Sequence, residues 1–476
     1  MPPGGVGAER LVGAVVTDAI VIGGGFAGLA AGVAMAREGH RVTVLEKRQM
    51  LGGRAYSYMD GTTGDTIDNG QHAMMGCYHE TLRFLDRIGA SDKLLVQPTP
   101  RIAMLDPEHG TGIIDCPPLP NPLHMAAGVL GYRLLGLGDR MRVLAGGLRL
   151  LAMKRSGVGR LGARTVADVL DGMGQTRAAR RAFWDPLAIA TLNEDPEIAS
   201  ADLLAEVLLR AFFSGKDDAR FILSRVGLSD LYTTDAKRFI EMRGGTVETK
   251  AHVVFMGIRD HEVTHLELRD GRRLHADAYV SAMPPQGLAS VLPQAFRREI
   301  RGLDGAERLA MSPIVSVHVW LDRPVLDHDF AGLVGTTAQW VFNRDRIAGR
   351  RDRAGSYLVF VMSGARSIVE FDNDRLIDVA LDDLRRVVPA ARAAKVLHSQ
   401  VVKEKFATMS PTVAAARQRA AVTTPLGNLV LAGDWIDTGL PATIESAVQS
   451  GHQAAAQAGR RIQAERAHRA ETRVAS

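Results

Sequence analysis

The chain has 476 residues, 46% of them hydrophobic, which is enough to bury a sizeable core. Its formal net charge of +5 is small for that length, and we expect no nucleic-acid partner. The two cysteines, Cys77 and Cys116, lack the spacing of a metal site or of a disulfide framework, so we expect neither.

Both ends of the chain differ from its middle. Residues 1–14 are expected to be disordered, and they lack the basic and apolar regions of a secretory signal. Residues 461–476 form a polar tail that we expect to fray. No stretch reaches the roughly 18 to 20 apolar residues of a membrane-spanning helix, so we expect no such helix.

The first motif along the chain is a strand, a glycine-rich turn and a helix. An apolar run at 20–22 leads into the sequence GGGFAG, and a second strand ends at Glu46. This spacing predicts a βαβ unit that binds a dinucleotide, with Glu46 accepting hydrogen bonds from ribose hydroxyls. Gly23 allows the tight turn, Gly25 admits a diphosphate, and Gly28 lets helix and strand pack closely. The predicted cofactor contacts are Gly23, Gly25, Phe26, Ala27, Gly28, Glu46 and Lys47.

A second glycine pair distinguishes the cofactor. Gly53 and Arg54 follow Glu46 closely, and an arginine here can contact the same diphosphate. A simple nicotinamide-binding fold does not need this extension. The pattern resembles the large FAD-dependent family that includes amine oxidases and carotenoid desaturases. This resemblance implies FAD as the cofactor and an α/β fold, in which a Rossmann-like FAD-binding domain is interleaved with an α+β substrate domain.

The run Asp68-Asn69-Gly70-Gln71-His72 places an acid, two amides and an imidazole around one glycine. Each of these residues taken singly suits a hydrogen-bonded loop. As a set that follows the FAD pattern, they are candidates for lining the flavin. We predict a cofactor contact from Gly70 and catalytic roles for Gln71 and His72.

A basic and apolar helical segment is predicted near 123–160, after a proline-rich breaker. Arg133 and Arg140 lie seven residues apart, as do Arg142 and Arg149, while leucines fill another side. The segment is either a core helix with solvated arginines or an amphipathic helix on an anionic membrane surface. The second interpretation implies a lipid-soluble substrate.

Candidate site residues also occur singly in the middle of the chain. Asp185 is a candidate acid, and Asn193 lies in an apolar stretch where its amide needs a partner, either backbone or substrate. Val253 and Val254 are neighbours in a predicted strand whose backbone can contact the adenine. Of the two, we predict this contact for Val254. Trp340 and Phe342 belong either to the core or to a tunnel for an isoprenoid.

Near the carboxyl end, an apolar strand runs into Gly433 and Asp434, and a loop leads to a helix rich in small residues. Asp434 is expected at the ribityl or diphosphate part of the cofactor. The helix begins near Thr443 and Ile444, so its first N–H groups can point at the flavin.

Taken together, these segments resemble the hydroxysqualene dehydroxylase branch of the same family. The matching runs are the GGGFAG turn with Glu46, DNGQH at 68–72, QWVF at 339–342 and GLPATIE at 439–445. The resemblance implies reductive removal of the hydroxyl from hydroxysqualene, a C30 isoprenoid, to give squalene in hopanoid synthesis. His72 is the first candidate proton donor and Asp185 the second, while Gln71 and Asn193 are candidates for holding the hydroxyl. A carotenoid-type desaturase, an amine oxidase and a non-enzymatic flavin-binding scaffold remain as alternatives.

The same resemblance suggests how the chain divides. The FAD-binding domain is expected to comprise 15–76, 225–290 and 401–460, and the substrate domain 77–224 and 291–400. A peripheral location on the inner, cytoplasmic face of the cytoplasmic membrane would suit the substrate. The sequence leaves open the electron donor and the oligomeric state.

Overall fold

The computed structural model describes residues 18–156, 161, 163–350 and 352–475, so the segment 1–14 that we predict to be disordered lies outside the described residues. The strands are β1 Ala19–Ile22, β2 Val42–Leu45, β3 Ser57–Met59, β4 Thr66–Asp68, β5 Ala73–Met75, β6 Leu94–Val96, β7 Arg101–Asp106, β8 Gly110–Asp115, β9 Phe221–Ser224, β10 Thr246–Glu248, β11 Val253–Arg259, β12 Glu262–Leu268, β13 Arg273–Leu274, β14 Ala278–Ser281, β15 Met311–Leu321, β16 Phe330–Leu333, β17 Trp340–Asn343, β18 Ser356–Ser363, β19 Val396–Met409 and β20 Leu429–Leu431. The helices are α1 Phe26–Arg37, α2 His79–Arg87, α3 Leu123–Gly131, α4 Leu137–Arg155, α5 Val166–Gly172, α6 Arg177–Ala179, α7 Asp185–Leu192, α8 Ala201–Phe213, α9 Leu228–Glu241, α10 Pro285–Val291, α11 Gln294–Arg297, α12 Arg344–Ile347, α13 Asn373–Val387, α14 Val413–Arg417 and α15 Ile444–Ala475.

A five-stranded parallel sheet with the order β10-β2-β1-β14-β20 forms one centre of the fold. Its strands β1 and β2 are buried along their whole length, as expected for a sheet covered on both faces. The carboxyl ends of parallel strands share one edge, so the turn after β1, Glu46 after β2 and Gly433 after β20 come together there. The Rossmann-like part of the predicted fold is confirmed.

A seven-stranded sheet with the order β19-β15-β18-β17-β16-β7-β8 forms the second centre. Neighbouring strands are antiparallel except β16 and β7, which are parallel. Its strands come from parts of the chain that alternate with those of the parallel sheet. The predicted interleaving of the two parts is therefore confirmed.

Two of the expected domain boundaries do not follow the packing. Strand β19 spans the expected boundary at 400/401, and it pairs with β15 from Val396 to Met409. Its backbone pairing continues through the boundary, so the whole strand belongs to the seven-stranded sheet. Residues 291–306 were expected in the substrate domain. Their apolar side chains pack instead in one cluster with β1, β14 and β20, which places this segment beside the parallel sheet.

The predicted basic helical segment is two helices, α3 and α4, and residues 157–160 at its end lie outside the described residues. One side of α4 is core, since Val143, Gly146 and Leu150 are buried. Another side carries exposed Leu137, Met141 and Leu148. The core interpretation therefore describes one face of this helix, and the membrane-surface interpretation of the other face stays a prediction.

The polar tail does not fray at 461, because α15 continues to Ala475. Arg461 contacts Glu465 one turn further on, at 3.4 Å, and Arg466 pairs with Asp18 at 2.9 Å. These ion pairs stabilise the helix beyond the point where its apolar residues end. None of the described helices is long and apolar enough to cross a membrane.

A buried histidine makes one pH dependence measurable. His318 on β15 is fully buried, and its Nδ1 lies 2.8 Å from the Tyr357 hydroxyl. Burial, with a smaller effect of the Arg344 charge, lowers the pKa of His318 to about 3. The unfolded chain takes up this proton at its ordinary pKa of about 6.5, so acid favours unfolding between about pH 6.5 and pH 3.

We therefore expect His318→Gln to reduce the acid sensitivity of stability. Between pH 7.5 and pH 5, the free energy of unfolding of the wild type should fall by about 2 kcal/mol more than that of the variant. Urea unfolding at the two pH values measures this difference, and His275→Gln, at an exposed position, is the control. Equal pH dependence of His318→Gln and the wild type would contradict the assignment.

Candidate active site

One cavity of about 540 Å³ contacts both sheets. At one end it is lined by the glycine-rich turn, and in the middle by the segment 70–73. At the other end its wall is almost wholly apolar. This wall includes Met75, Ile102, Met104, Ile114, Cys116, Met125, Phe183, Leu187, Phe212, Phe221, Ile314, Phe330, Trp340, Phe342 and Val361.

The turn after β1 has room for a ligand only because of its glycines. Gly23 has a φ of +115°, and a Cβ there would lie 2.9 Å from the Ala282 carbonyl oxygen. A Cβ on Gly28 would overlap the Gly23 carbonyl oxygen, so α1 packs directly on β1. Gly23, Gly25, Phe26 and Ala27 line the cavity, whereas Gly28 acts through packing alone.

The second glycine pair is held against the first. The Gly52 N–H donates to the Gly24 carbonyl at 2.9 Å, and a Cβ on Gly53 would come 3.1 Å from the Gly25 Cα. Glu46 is buried, and its carboxylate accepts hydrogen bonds from the N–H groups of Gly24 and Arg48, both at 2.9 Å. Two motifs distant in sequence thus form one continuous backbone surface.

Further cofactor candidates meet on the opposite side. Arg54 donates to the Ala407 carbonyl at 3.1 Å and pairs with buried Asp434. Both line the cavity, as do Lys47, Thr443 and Ile444. Helix α15 begins at Ile444, so the positive end of its dipole lies at this wall, and the Thr443 hydroxyl accepts from the Ser446 N–H at 3.2 Å.

Arg419 is a residue of this region that our sequence analysis missed. Its buried guanidinium donates to the carbonyls of Asp434, Ile436 and Leu440, and it approaches the Ser446 hydroxyl at 3.3 Å. It therefore holds the loop that carries Asp434 and Thr443 in place. The residue belongs to no motif, and nothing in the sequence distinguishes it from the other arginines.

Gly70, Gln71 and His72 all line the middle of the cavity. The His72 Nδ1 lies 2.8 Å from the Gly70 carbonyl oxygen, which can only accept, so Nδ1 carries the proton. Burial lowers the pKa of His72, which favours the neutral ring with a bare Nε2. The structure therefore favours His72 as a hydrogen-bond acceptor rather than the proton donor that we predict from the sequence. Gln71 is buried, and among the residues that the structure describes its Oε1 has no hydrogen-bond partner.

The structure contradicts the prediction that Asp185 is an acid in the site. Phe183, Leu187 and Thr191 form the face of the helical segment that lines the cavity, and Asp185 lies off that face. Its carboxylate contacts Arg180 at 3.4 Å. Burial raises its pKa, and Arg180 opposes this. Its proton therefore lies outside the cavity.

Asn193 lines the cavity, but its amide is used by the protein. The Nδ2 group donates to the Ser312 carbonyl at 3.1 Å and to the Thr408 hydroxyl at 2.8 Å. The Oδ1 atom accepts from the Gly364 N–H at 2.8 Å. The sequence allows either backbone or substrate as the partner of this amide. In the structure its partners are protein groups. Asn193 thus fastens the end of α7 to the seven-stranded sheet.

The predicted adenine contact falls on the wrong one of two neighbours. Val253 lines the cavity, whereas Val254 does not and is 40% exposed. Successive residues of a strand point to opposite sides, so only one of the pair can face the cofactor. The structure favours Val253.

Trp340 and Phe342 both line the cavity, as expected of tunnel residues. Two further residues escaped our sequence analysis, Phe330 and Tyr78. The Tyr78 hydroxyl interacts with the Thr443 side chain, and burial raises the pKa of this phenol well above its usual value. Tyr78 therefore holds its proton throughout the neutral range.

The residues present fit FAD. The glycines leave an open backbone surface where a diphosphate needs one, and a helix N-terminus and Arg54 supply positive charge beside it. Glu46 lines the cavity beside the turn and would accept hydrogen bonds from ribose hydroxyls, and the same cavity includes His72 and the apolar wall. A cavity lined in this way can hold a dinucleotide together with a further organic substrate.

Comparisons with known proteins agree with this geometry. The sequence model of the flavin containing amine oxidoreductases matches residues 26–458. A hydroxysqualene dehydroxylase of Rhodopseudomonas palustris is 30% identical, over 91% of this chain and 96% of its own. A chloroplastic/chromoplastic zeta-carotene desaturase of Solanum lycopersicum is 27% identical, over 92% of this chain and 80% of its own. The crystal structure of cyclohexylamine oxidase from Brevibacterium oxydans superposes with a TM-score of 0.69 at 18% identity, covering 94% of this chain and 100% of its own.

Proposed function

The chain belongs to the flavin containing amine oxidoreductase family and is an FAD-dependent oxidoreductase, and from this premise we propose that it converts hydroxysqualene to squalene, a step of hopanoid synthesis. The observation that carries the proposal is the apolar half of the cavity, which begins beside His72 and is built from aliphatic, methionine and aromatic side chains. Such a wall fits a hydrocarbon chain. The similarity to a hydroxysqualene dehydroxylase over nearly the full length of both chains supports the same substrate.

The cofactor and the protein have separate tasks in this reaction. The residues that would hold FAD are Gly23, Gly25, Glu46, Arg54, Gly70, Val253, Asp434, Thr443 and Ile444. FAD in its reduced form supplies the hydride that replaces the hydroxyl. The apolar wall excludes water, so that the reacting carbon meets no competing nucleophile.

The departing hydroxyl needs a proton, and we infer that the Tyr78 phenol, an O–H donor on the cavity wall, gives it. Its phenol lines the cavity beside Thr443 and stays protonated at neutral pH. Neutral His72 and the unpartnered Oε1 of Gln71 supply acceptors on the same cavity, and these can orient an O–H group. The cavity thus offers the hydroxyl both a donor and acceptors.

A single-turnover experiment tests the proposal. Photoreduced holoprotein is mixed anaerobically with hydroxysqualene at pH 6 and pH 8, flavin absorbance is followed, and the product is identified by mass. We expect flavin reoxidation with formation of squalene and similar rate constants at the two pH values, since the Tyr78 phenol does not titrate there. A rate constant that falls steeply toward pH 8 would instead identify His72 as the proton donor.

The same experiment can identify a desaturase. If reduced protein leaves hydroxysqualene unchanged while oxidised protein removes hydrogen from a phytoene-like hydrocarbon, the proposed function is wrong. The fold and cofactor would remain. Neither result depends on the identity of the physiological electron donor.

We also propose that α3 and α4 lie on the inner, cytoplasmic face of the cytoplasmic membrane. Leu123, Leu137, Met141 and Leu148 are each more than half exposed, and they stand beside exposed Arg142 and Arg149. Met125 on α3 lines the apolar end of the cavity, so this surface adjoins the space proposed for the isoprenoid. Apolar side chains next to basic ones suit an anionic lipid surface.

Replacing Leu137, Met141 and Leu148 together by glutamine should lower binding to anionic phospholipid vesicles about tenfold or more, because three apolar side chains lose their lipid contact. Vesicle flotation measures the bound fraction. The matched control replaces Met242, Leu397 and Phe406, which are 67% to 70% exposed elsewhere. Equal losses in the two triple variants would refute a membrane surface on α4.

A further inference from the structure

Four aromatic rings line the apolar end of the cavity, and we refer to Phe221, Phe330, Trp340 and Phe342 as the aromatic wall. Phe330 is its centre. Its ring centroid lies 5.0 Å from that of Phe221, 5.7 Å from that of Phe342 and 6.3 Å from that of Trp340. Phe221 pairs with Met75 across β9 and β5, three residues after His72. The wall therefore adjoins the polar middle of the cavity.

No carboxylate stands in the aromatic wall. Among the described residues that line the cavity, the acids are Glu46, Asp434 and Glu445. Each already has protein partners: Glu46 accepts from Gly24, Asp434 pairs with Arg54, and Glu445 accepts from the N–H groups of Glu80 and Thr81. At the apolar end, the four aromatic rings are thus the groups suited to attract positive charge.

The proposed reaction creates positive charge beside His72, where the polar middle of the cavity meets the aromatic wall. When the allylic C–O bond breaks, both its electrons leave with oxygen, which takes a proton and departs as water. The carbon is left positive, and the charge is shared across the allyl group until a hydride with its two electrons arrives. An isolated charge is very unfavourable in an apolar cavity, so the site needs groups that offset it.

The rest of the cavity middle is compatible with such a charge. A protonated imidazole beside the reacting carbon would repel it. His72, next to the wall, is instead favoured in its neutral form, since burial lowers its pKa.

We propose that the aromatic wall is a binding site for positive charge, and that it takes an isoprenoid with a tertiary ammonium group in preference to the neutral hydrocarbon of the same shape. The proposal rests on the proposed function, because the charge arises at an allylic carbon of the substrate. Hydride removal by a desaturase would leave the same charge on its substrate, so the wall serves either direction of transfer.

Binding of two soluble ligands to the oxidised holoprotein tests the site. One is a C15 isoprenoid tertiary amine, protonated at neutral pH, and the other is its isosteric hydrocarbon, both in non-ionic detergent. Effects of a variant on shape or apolar contact change both dissociation constants alike and therefore cancel in their ratio. We expect the wild type to prefer the ammonium ion, and Phe330→Leu to reduce this preference about fivefold or more. Ile314→Leu changes a ring-free residue of the same cavity and should leave the ratio unchanged.

A second pair of variants guards against a misfolded Phe330→Leu, which flavin content and circular dichroism would reveal. Trp340→Leu should lower the preference, and Trp340→Phe, which keeps a ring, should retain most of it. No preference in the wild type, or the same preference in the ring-free variants, overturns the proposal.

The outcome is separable from that of the proposed function. If the wild-type protein reduces hydroxysqualene but the ratio of the two dissociation constants does not depend on the rings, only the proposed cation site is wrong. If the wild-type protein leaves hydroxysqualene unchanged but the ratio of the two dissociation constants depends on the rings, the cation site is supported and the proposed substrate is wrong.

Discussion

Gly28→Ala is expected to abolish retention of FAD and to lower the free energy of unfolding by about 3 kcal/mol or more. The added Cβ would overlap the carbonyl oxygen of Gly23, which is backbone and cannot rotate away. Relief requires α1 to move off β1, and this displaces the turn at the diphosphate position. Flavin absorbance of the purified protein and urea unfolding measure the two effects.

The matched control is Gly147→Ala. Gly147 also lies within a helix, α4, but no atom of the described part of the chain lies within 4 Å of the position of its added Cβ. Alanine suits a helix better than glycine by up to about 1 kcal/mol, so this variant should keep FAD and gain slightly in stability. If the two variants lose stability equally, close packing of α1 on β1 is not the reason for Gly28.

The nucleotide-binding part was predictable because its signals are local. A strand, three spaced glycines, a helix and Glu46 follow one another within 28 residues, and each position has one physical requirement. The structure places them as that order requires. The run at 68–72 also follows the FAD pattern directly, and its Gly70, Gln71 and His72 line the cavity as predicted. Asp68 and Asn69 do not line it: they accept hydrogen bonds from the N–H groups of Leu228 and Tyr56 and so hold the loop.

Single residues without such spacing were predicted less well. Whether Asp185 or its neighbour Phe183 faces the cavity depends on the rotation of one helix, and a π-helical turn at Arg180–Trp184 alters the residue count just before it. Val254 missed the cavity through the alternation of a strand whose register the sequence does not give. Position on a helix face or strand side is a tertiary property.

The apolar wall shows the same limit from another side. Trp340 was a candidate because it lies in an aromatic run, but Phe330 has no such neighbours in sequence. The antiparallel pairing of β16 with β17 brings Phe330 opposite Phe342. A wall assembled across strands carries no linear motif, although each of its rings reads individually as a core residue.

Arg419 is the residue whose replacement should cost the site most among those without a motif. Arg419→Met is expected to lower the free energy of unfolding by about 3 to 5 kcal/mol, because three or more buried carbonyl groups lose the donor they share. The loop from Asp434 to Thr443 would then lose its shape. FAD affinity should fall at least tenfold, even where the remaining protein stays folded.

Two further variants show whether the guanidinium itself is responsible. Arg419→Lys keeps the charge but cannot reach several carbonyls at once, so its FAD affinity should lie between those of the wild type and Arg419→Met. Arg417→Met changes an exposed arginine two residues away and should alter neither property. Titration of apoprotein with FAD, followed by flavin fluorescence, gives the affinities. Because Arg419 binds backbone carbonyls rather than the cofactor, a loss of affinity without any loss of stability in Arg419→Met would contradict its role as the support of the loop.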